Sequence, residues 1–380
     1  MAAEQLTVPP TGTRVAVVGD VMIDDNMYLE YTGREDFMAD RATLVSATSG
    51  LGGAGNVAAN TAGLGLPTAL VGMVGDDGNG ARLTGLARSR LNVYPMLFVC
   101  DGVKTPRKAR LYDRHCLRTR IDDEGRAVSY YATRRGTAPL KPTPYEAVRH
   151  LVASGVRVIC TVDHAKGFLM DDGGDEFPAS AFQRELRTLD VPLIVDPKPN
   201  RNWPYIGGRK VILKMNHHQL NDVVGKAVGE EWIIRSSFMS PSEARVHFNK
   251  VRAAISGSRA IHCDWLWLTY GKAGMSIGPM DCDWSAYVDG SPDAALIDVE
   301  DIKIDATGCG DTCTAVMANA VAANGYTPEA ILEGFLQANY AAGLASRHLG
   351  CHVLTRKAFE EVERGVAASE DYRRVLGHVA

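Results

Sequence analysis

The strongest constraint on the fold is a rhythm. Short runs of β-branched and other apolar residues alternate with helical stretches from one end of the chain to the other. Arg14-Val-Ala-Val-Val-Gly19 reads as a buried first strand closed by glycine. Comparable runs follow at Val156–Cys160, Leu193–Val195, Val211–Leu213 and Leu266–Thr269. Helical segments lie between them at Asn56–Gly65, Tyr145–Ala153, Ala181–Leu189 and Pro241–Ile255. The C-terminal part is mostly helical, over Asp311–Ala323, Pro328–Leu349 and Arg356–Val375. Buried strands alternating with helices predict an α/β fold, a three-layer arrangement with a mainly parallel central sheet covered on both faces.

Two stretches break the rhythm. Met27–Thr48 and Val93–Ile121 mix polar and apolar residues and carry few helix caps, which predicts extended ribbons projecting from the sheet edge as a small β lid, from about residues 26–50 and 93–121. The 380 residues contain no internal repeat, low-complexity tract or Pro/Gly/Ser linker, so the expectation is a single domain over 1–380 with that lid. Charged residues make up 23% and the net charge is -4, a balance that argues against a dedicated nucleic-acid binder. An anionic ligand stays compatible with it, since a pocket needs only a few local cations. No apolar run approaches membrane-spanning length, the first 13 residues are polar with two prolines, and the eight cysteines form no Cys-x-x-Cys pair. These features predict a cytoplasmic protein with free thiols.

The segment richest in chemistry is Asp305-Ala-Thr-Gly-Cys-Gly-Asp311, followed by a run of small residues. Gly308 and Gly310 let the backbone turn tightly and approach a ligand. The amides of Gly308, Cys309, Gly310 and Asp311 would then point out of a helix N-terminus, where free N–H groups and the helix dipole favour an anion. Asp311 at that end suits a general base for a hydroxyl beside a phosphate; a carboxylate that only caps the helix would look the same in sequence.

Asp-x-Thr-Gly-x-Gly-Asp resembles the signature of the ribokinase-like (phosphofructokinase-B) carbohydrate kinases, with Cys309 in place of the usual alanine. Further matches fall in family order: Gly19-Asp-Val-Met-Ile-Asp24, Gly52-Gly-Ala-Gly-Asn-Val-Ala58, Thr105-Pro-Arg-Lys-Ala-Arg110, Asp163-His-Ala-Lys-Gly167, Val195-Asp-Pro-Lys198, Thr269-x-Gly-x-x-Gly-Met275 and Asn339-Tyr-Ala-Ala-Gly343. The resemblance covers nearly the whole chain, and its nearest branch looks like the heptose 7-phosphate kinases. It implies Asp311 as catalytic base, with the Gly308, Cys309 and Gly310 amides as the anion hole. It also implies transfer of the ATP γ-phosphate to a sugar phosphate, at the anomeric hydroxyl of a heptose 7-phosphate in that branch. ATP and Mg²⁺ are the implied cofactors, K⁺ is left open, and a homodimer paired through the lid is the implied assembly.

On this reading Asp24, Gly52, Gly53 and Asn56 hold the sugar. Lys108 and Arg110 are the candidates for a phosphate already on the substrate, while Lys104, Arg107, Arg114, Arg118 and Arg120 read as charge guarding an edge strand. Asp163 and Lys166 join the substrate end. Asp196, Lys198, Asn216, Thr269, Gly271, Gly274, Asn339 and Gly343 belong to the ATP end. Asp20 and Asp25 read as structural or solvated. Gly50-Leu-Gly-Gly-Ala-Gly55 satisfies a dinucleotide fingerprint literally, but it does not follow the first strand, so a dehydrogenase is disfavoured.

Two departures stand out. Asn216-His-His-Gln219 carries a neutral Gln219 where the family has a carboxylate that organises magnesium, and Arg34–Arg41 lacks the apolar, proline-containing stretch of the heptose branch. A related sugar therefore stays open as substrate, as does a catalytically silent binder on the same scaffold. No His-x-Gly-His nucleotidyltransferase motif occurs, so the kinase is expected to act alone.

Overall fold

The computed structural model describes residues 9–35, 39–113, 116–128, 130, 133, 142–169, 185–197, 210–220, 239–257, 261–290 and 305–376. Its strands are β1 (Val15–Gly19), β2 (Val21–Glu35), β3 (Ala39–Gly53), β4 (Thr68–Gly75), β5 (Val93–Cys100), β6 (Arg107–Asp113), β7 (Cys116–Asp123), β8 (Val158–Val162), β9 (Leu193–Asp196), β10 (Val211–Asn216), β11 (Trp265–Thr269), β12 (Met275–Pro279) and β13 (Ala286–Val288). The helices are α1 (Ala54–Gly63), α2 (Gly78–Arg88), α3 (Pro144–Ala153), α4 (His217–Leu220), α5 (Pro241–Ser256), α6 (Cys309–Asn324), α7 (Pro328–Ala345), α8 (Arg356–Ala368) and α9 (Glu370–Leu376).

Nine strands form one sheet in the order β13-β12-β11-β10-β9-β8-β1-β4-β5. From β5 to β11 every pairing is parallel, and β12 then turns back antiparallel on β11. Because strand residues alternate between faces, Val15 and Val17 enter one hydrophobic core while Ala16 and Val18 enter the other. The first core packs residues of α1, α6, α7 and α8; the second packs α3 and α5. The three-layer α/β expectation holds.

Local sequence sets the helix ends. Thr143 and Ser240 each make a capping box, with Glu146 and Glu243, and each is followed by a proline at the first helical position. The predicted Arg356–Val375 helix is two helices, because Ser369 is extended (φ -77°, ψ 152°) and its Oγ accepts the Tyr372 N–H at 3.1 Å. The predicted Pro328–Leu349 helix ends at Ala345. Of the predicted Ala181–Leu189 helix, residues 181–184 lie outside the described residues, and of the rest only 185–186 are helical before a turn.

A second sheet, ordered β3-β2-β6-β7, forms the lid. Its ribbon spans Val21–Glu35 and Ala39–Gly53, wider than the predicted 26–50. The other predicted segment, 93–121, needs correction. Val93–Cys100 is the edge strand β5 of the main sheet, parallel to β4, and only Arg107 onwards belongs to the lid. Val93, Met96, Phe98 and Cys100 are buried there, and an edge strand tolerates Pro95. Among the described residues no helix is long and apolar enough to cross a membrane.

Candidate active site

The parallel strands β1, β8, β9, β10 and β11 all end on one side of the sheet, at Gly19, Val162, Asp196, Asn216 and Thr269. Ligands in open α/β sheets bind outside this edge. The start of α6 stands there. Gly308 is its N-cap, in a left-handed conformation (φ 76°, ψ -3°) that glycine adopts without strain. A Cβ at Gly308 would lie 2.8 Å from Asn56 Nδ2, so only glycine fits. The Cys309 N–H closes the turn onto the Ala306 carbonyl at 3.2 Å. That corrects the expected set of four open amides, since Cys309 spends its own. Gly310 and Asp311 lie in the first helical turn, where amides have no carbonyl one turn back. Cys309 turns its thiol inward, 3.5 Å from the Ala342 carbonyl of α7, and burial pushes its pKa up to about 12. It is packing, not a nucleophile.

Asp311 Oδ2 accepts a hydrogen bond from Asn56 Nδ2 at 2.8 Å. A relay fixes which way Asn56 points. The Leu354 N–H donates to Asn60 Oδ1 at 3.1 Å, and Asn60 Nδ2 donates to Asn56 Oδ1 at 3.1 Å, leaving the Asn56 amine for Asp311. Burial raises the pKa of Asp311 above the ordinary carboxylate range. His164, the Asn56 bond and Lys214 pull it down, and Asp196 adds to the rise. A carboxylate with raised proton affinity beside a helix N-terminus suits proton abstraction from a hydroxyl.

Sequence reasoning missed Lys214. It is 3% exposed in the middle of the site, and its Nζ donates to Asp196 Oδ2 (2.5 Å), the Gly310 carbonyl (2.8 Å) and Thr314 Oγ1 (3.0 Å). Burial works to strip its proton, but the charge and hydrogen bond of Asp196, with Cys313 and Asp311, together outweigh it and hold the ammonium charged. Its Nζ is 3.4 Å from where a Gly310 Cβ would stand, so a fixed positive charge sits under the glycine turn. The available signal was a lysine inside the apolar run Val211-Ile-Leu-Lys-Met215.

At the other end of the cleft Asp24 is 3% exposed. Gly52 opposes it so closely that a Cβ there would meet Asp24 Oδ2 at 2.4 Å, and Gly53 (φ 58°) leads directly into α1. Asp24 Oδ1 accepts from Arg110 at 2.7 Å, and Oδ2 accepts from the Cys351 thiol at 3.0 Å. Burial, and then the Asp24 charge, push the Cys351 pKa well above its usual value, so the thiol keeps its proton to donate. Arg110 is therefore an anchor of Asp24, not the free phosphate ligand expected from sequence. Lys108 pairs in register with Asp24 across β2 and β6 and so shares its face of the lid.

Lys166 pairs with Glu124 beside the end of lid strand β7. The carboxylate of Asp163 closes its own turn, accepting the Ala165 N–H at 2.7 Å. Asp20 accepts the N–H groups of His164 (2.8 Å), Lys166 (2.9 Å) and Phe168 (3.0 Å), a structural role. Asp25 is likewise structural, held by Arg82, Arg107 and Ser49.

The predicted ATP end lies along the β9–β11 edge. Asn216 Oδ1 accepts the N–H groups of His218 (3.0 Å) and Gln219 (2.9 Å) and so caps α4. Gln219 donates to Asp196 Oδ1 at 3.3 Å and to the Pro197 carbonyl. Thr269 ends β11, and Gly271 (φ 60°) and Gly274 (φ 89°) form the tight turn into β12. A Cβ on Gly274 would overlap the Val288 carbonyl at 2.0 Å, so that glycine serves packing whatever else it does. Asn339 Nδ2 donates to the Asp289 carbonyl at 2.8 Å, and Gly343 is buried on α7. Lys198 lies outside the described residues. Among the described residues no three His, Cys, Asp or Glu side chains converge as a metal cage.

A parallel sheet with a β lid, and a glycine turn presenting an acid at a helix start, make up the candidate site. Residues 12–119 of the chain match the family model of the pfkB family carbohydrate kinases. It is similar to the bifunctional protein HldE of Citrifermentans bemidjiense (28% identical over 369 residues, 95% of this chain and 65% of the relative) and to that of Caulobacter vibrioides (28% over 351 residues, 90% and 62%). The chain thus spans somewhat under two thirds of these relatives' length. Among solved structures, Arabidopsis thaliana ribokinase complexed with ribose and ATP superposes with a TM-score of 0.59 at 17% identity, covering 93% of this chain and 99% of that one. Escherichia coli phosphofructokinase-2 in complex with potassium gives 0.59 at 13%, with 93% and 99% covered. These two likenesses concern the fold.

Proposed function

We propose that the chain transfers the γ-phosphate of ATP to a hydroxyl of a small carbohydrate phosphate, with the anomeric hydroxyl of a heptose 7-phosphate as first choice. The observation that carries this reading is Asp311: a base of raised proton affinity, aimed by Asn56 and set at the mouth of a glycine turn over Lys214. The similarity to HldE proteins favours a heptose-related substrate.

In this mechanism Asp311 takes the proton from the acceptor hydroxyl as it attacks. The Gly310 and Asp311 amides, the α6 dipole and Lys214 stabilise charge on the transferred group. These residues fit a polyphosphate. Mg²⁺ bound to it would supply charge neutralisation, with Asp196 as the nearby carboxylate. Gln219 offers an amide there instead of an anion, which lowers the charge available to hold the ion. The sugar lies between Asp24, Asn56 and the lid, and the lid excludes water from the phosphoryl donor. A chain that consumes ATP works where ATP is abundant, in the cytoplasm. Leu44 and Ile121, exposed on one face of the lid, support a homodimer.

A coupled assay of ATP consumption over heptose, hexose and pentose phosphates tests the reading, with the product position read by NMR. A heptose 7-phosphate is expected to give the highest kcat/KM. Gln219 favours one second reading, a carbohydrate-binding chain without turnover. Binding of a sugar phosphate with no ATP consumed would decide for it.

A further inference from the structure

His164 stands out among the groups around Asp311. Its main chain is held firmly, with the N–H on Asp20 Oδ2 at 2.8 Å and the next residue, Ala165, at φ 55°. Its side chain is not: Nε2 is buried and has no hydrogen-bond partner. Such an atom is costly to bury unless a partner arrives. The ring edge next to Nε2 lies against the glycine floor of the cleft, since a Cβ on Gly53 would stand 3.0 Å from His164 Cδ2. The imidazole is also near enough to Asp311 for its charge to act on that carboxyl.

We propose that His164 determines substrate specificity, its Nε2 hydrogen-bonding a hydroxyl of the bound carbohydrate next to the hydroxyl that faces Asp311. This rests on the reading of the cleft as a carbohydrate site. Three observations fix the ligand group as a neutral hydroxyl. Negative charge gathers around the residue, with Asp20 on its main-chain N–H, Asp163 one residue before and Asp311 within range of its charge, which disfavours a phosphate anion there. The nearby cations are engaged, Lys214 on Asp196 and Lys166 on Glu124. The Gly52–Gly53 floor that the ring touches is the same one that meets Asp24. An imidazole can donate to or accept from such a hydroxyl, so the contact selects position more than polarity.

The test compares wild type with His164→Phe, which keeps a ring, and His164→Gln, which keeps a hydrogen-bonding tip. Calorimetric titration of the best sugar phosphate, without ATP, reads binding independently of turnover. His164→Phe is expected to weaken binding by ~10-fold and His164→Gln by less than about threefold, with KM for ATP unchanged in both. A deoxy analogue lacking the neighbouring hydroxyl is expected to lose affinity for wild type but not for His164→Phe. Thermal unfolding of both variants establishes that they are folded. If wild type binds the sugar and folded His164→Phe binds it equally well, the His164 assignment is overturned while the carbohydrate site stands. If wild type binds no carbohydrate phosphate, the functional reading falls and takes this contact with it.

Discussion

Lys214 shows how much a single side chain can do at this site. Its ammonium joins β9, β10 and the first turn of α6 through Asp196, Gly310 and Thr314. Lys214→Met would leave Asp196 facing the interior without its counter-charge. Breaking such a pair costs about 3 kcal/mol, which a urea unfolding midpoint would read directly. Gly308→Ala is expected to act differently. Its Cβ would push Asn56 off Asp311 in a left-handed turn, so activity should fall at least ~10-fold while stability drops by only about 1–2 kcal/mol. Parallel assays of turnover and unfolding on this variant separate the two effects. Asp311 was legible in sequence because a glycine turn before a run of small residues has a local meaning. Lys214 and the Arg110–Asp24 pair were not. A lone lysine in an apolar run does not reveal that three acceptors surround it, and partners 86 residues apart meet only through the lid's register.

The lid carries its own pH dependence. Asp25 on β2 is nearly buried, which works to raise its pKa, but the hydrogen bonds from Arg82, Ser49 and Arg107 outweigh burial and hold it below the usual range. A depressed folded pKa contributes stability above the unfolded value, near 4, and that contribution is lost as the pH falls through the folded value. Asp25→Asn is therefore expected to cost about 2 kcal/mol at pH 7 and markedly less near pH 3, a difference that urea midpoints at the two pH values would expose. An equal cost at both pH values would contradict it. Elements with local signals were readable in sequence: capped helices, and strands buried on both faces. Val93–Cys100 was misplaced because its mixed polar pattern fits an edge strand of the main sheet as well as a lid ribbon, and only pairing with β4 separates the two. Asp305 is a similar case. It opens the glycine motif in sequence, yet in the fold it accepts hydrogen bonds from Tyr112 on the lid (3.0 Å) and from the Gly350 N–H (2.7 Å), which no local pattern announces.

The molecule as a whole leaves apolar side chains in water on the lid: Leu44 is 56% exposed, Val45 64%, Leu117 52% and Ile121 50%. Val45 is the extra residue of a bulge opposite Tyr28 and Leu29, which bends the ribbon and turns its side chain outward. In the proposed homodimer a second copy would cover Leu44 and Ile121, which the strand register places on one face of the lid. Sedimentation is expected to show a dimer for wild type and a monomer for the double variant Leu44→Glu, Ile121→Glu; a monomeric wild type would contradict the assembly. The catalytic claim needs the sheet edge, the glycine turn and the lid together, and it converges on one carboxylate. The most direct measurement is turnover of Asp311→Asn with the preferred sugar phosphate, alongside calorimetric binding of ATP. The account predicts a fall in kcat of ~100-fold or more with ATP affinity within about threefold of wild type. An Asp311→Asn protein that turns over at the wild-type rate would contradict it.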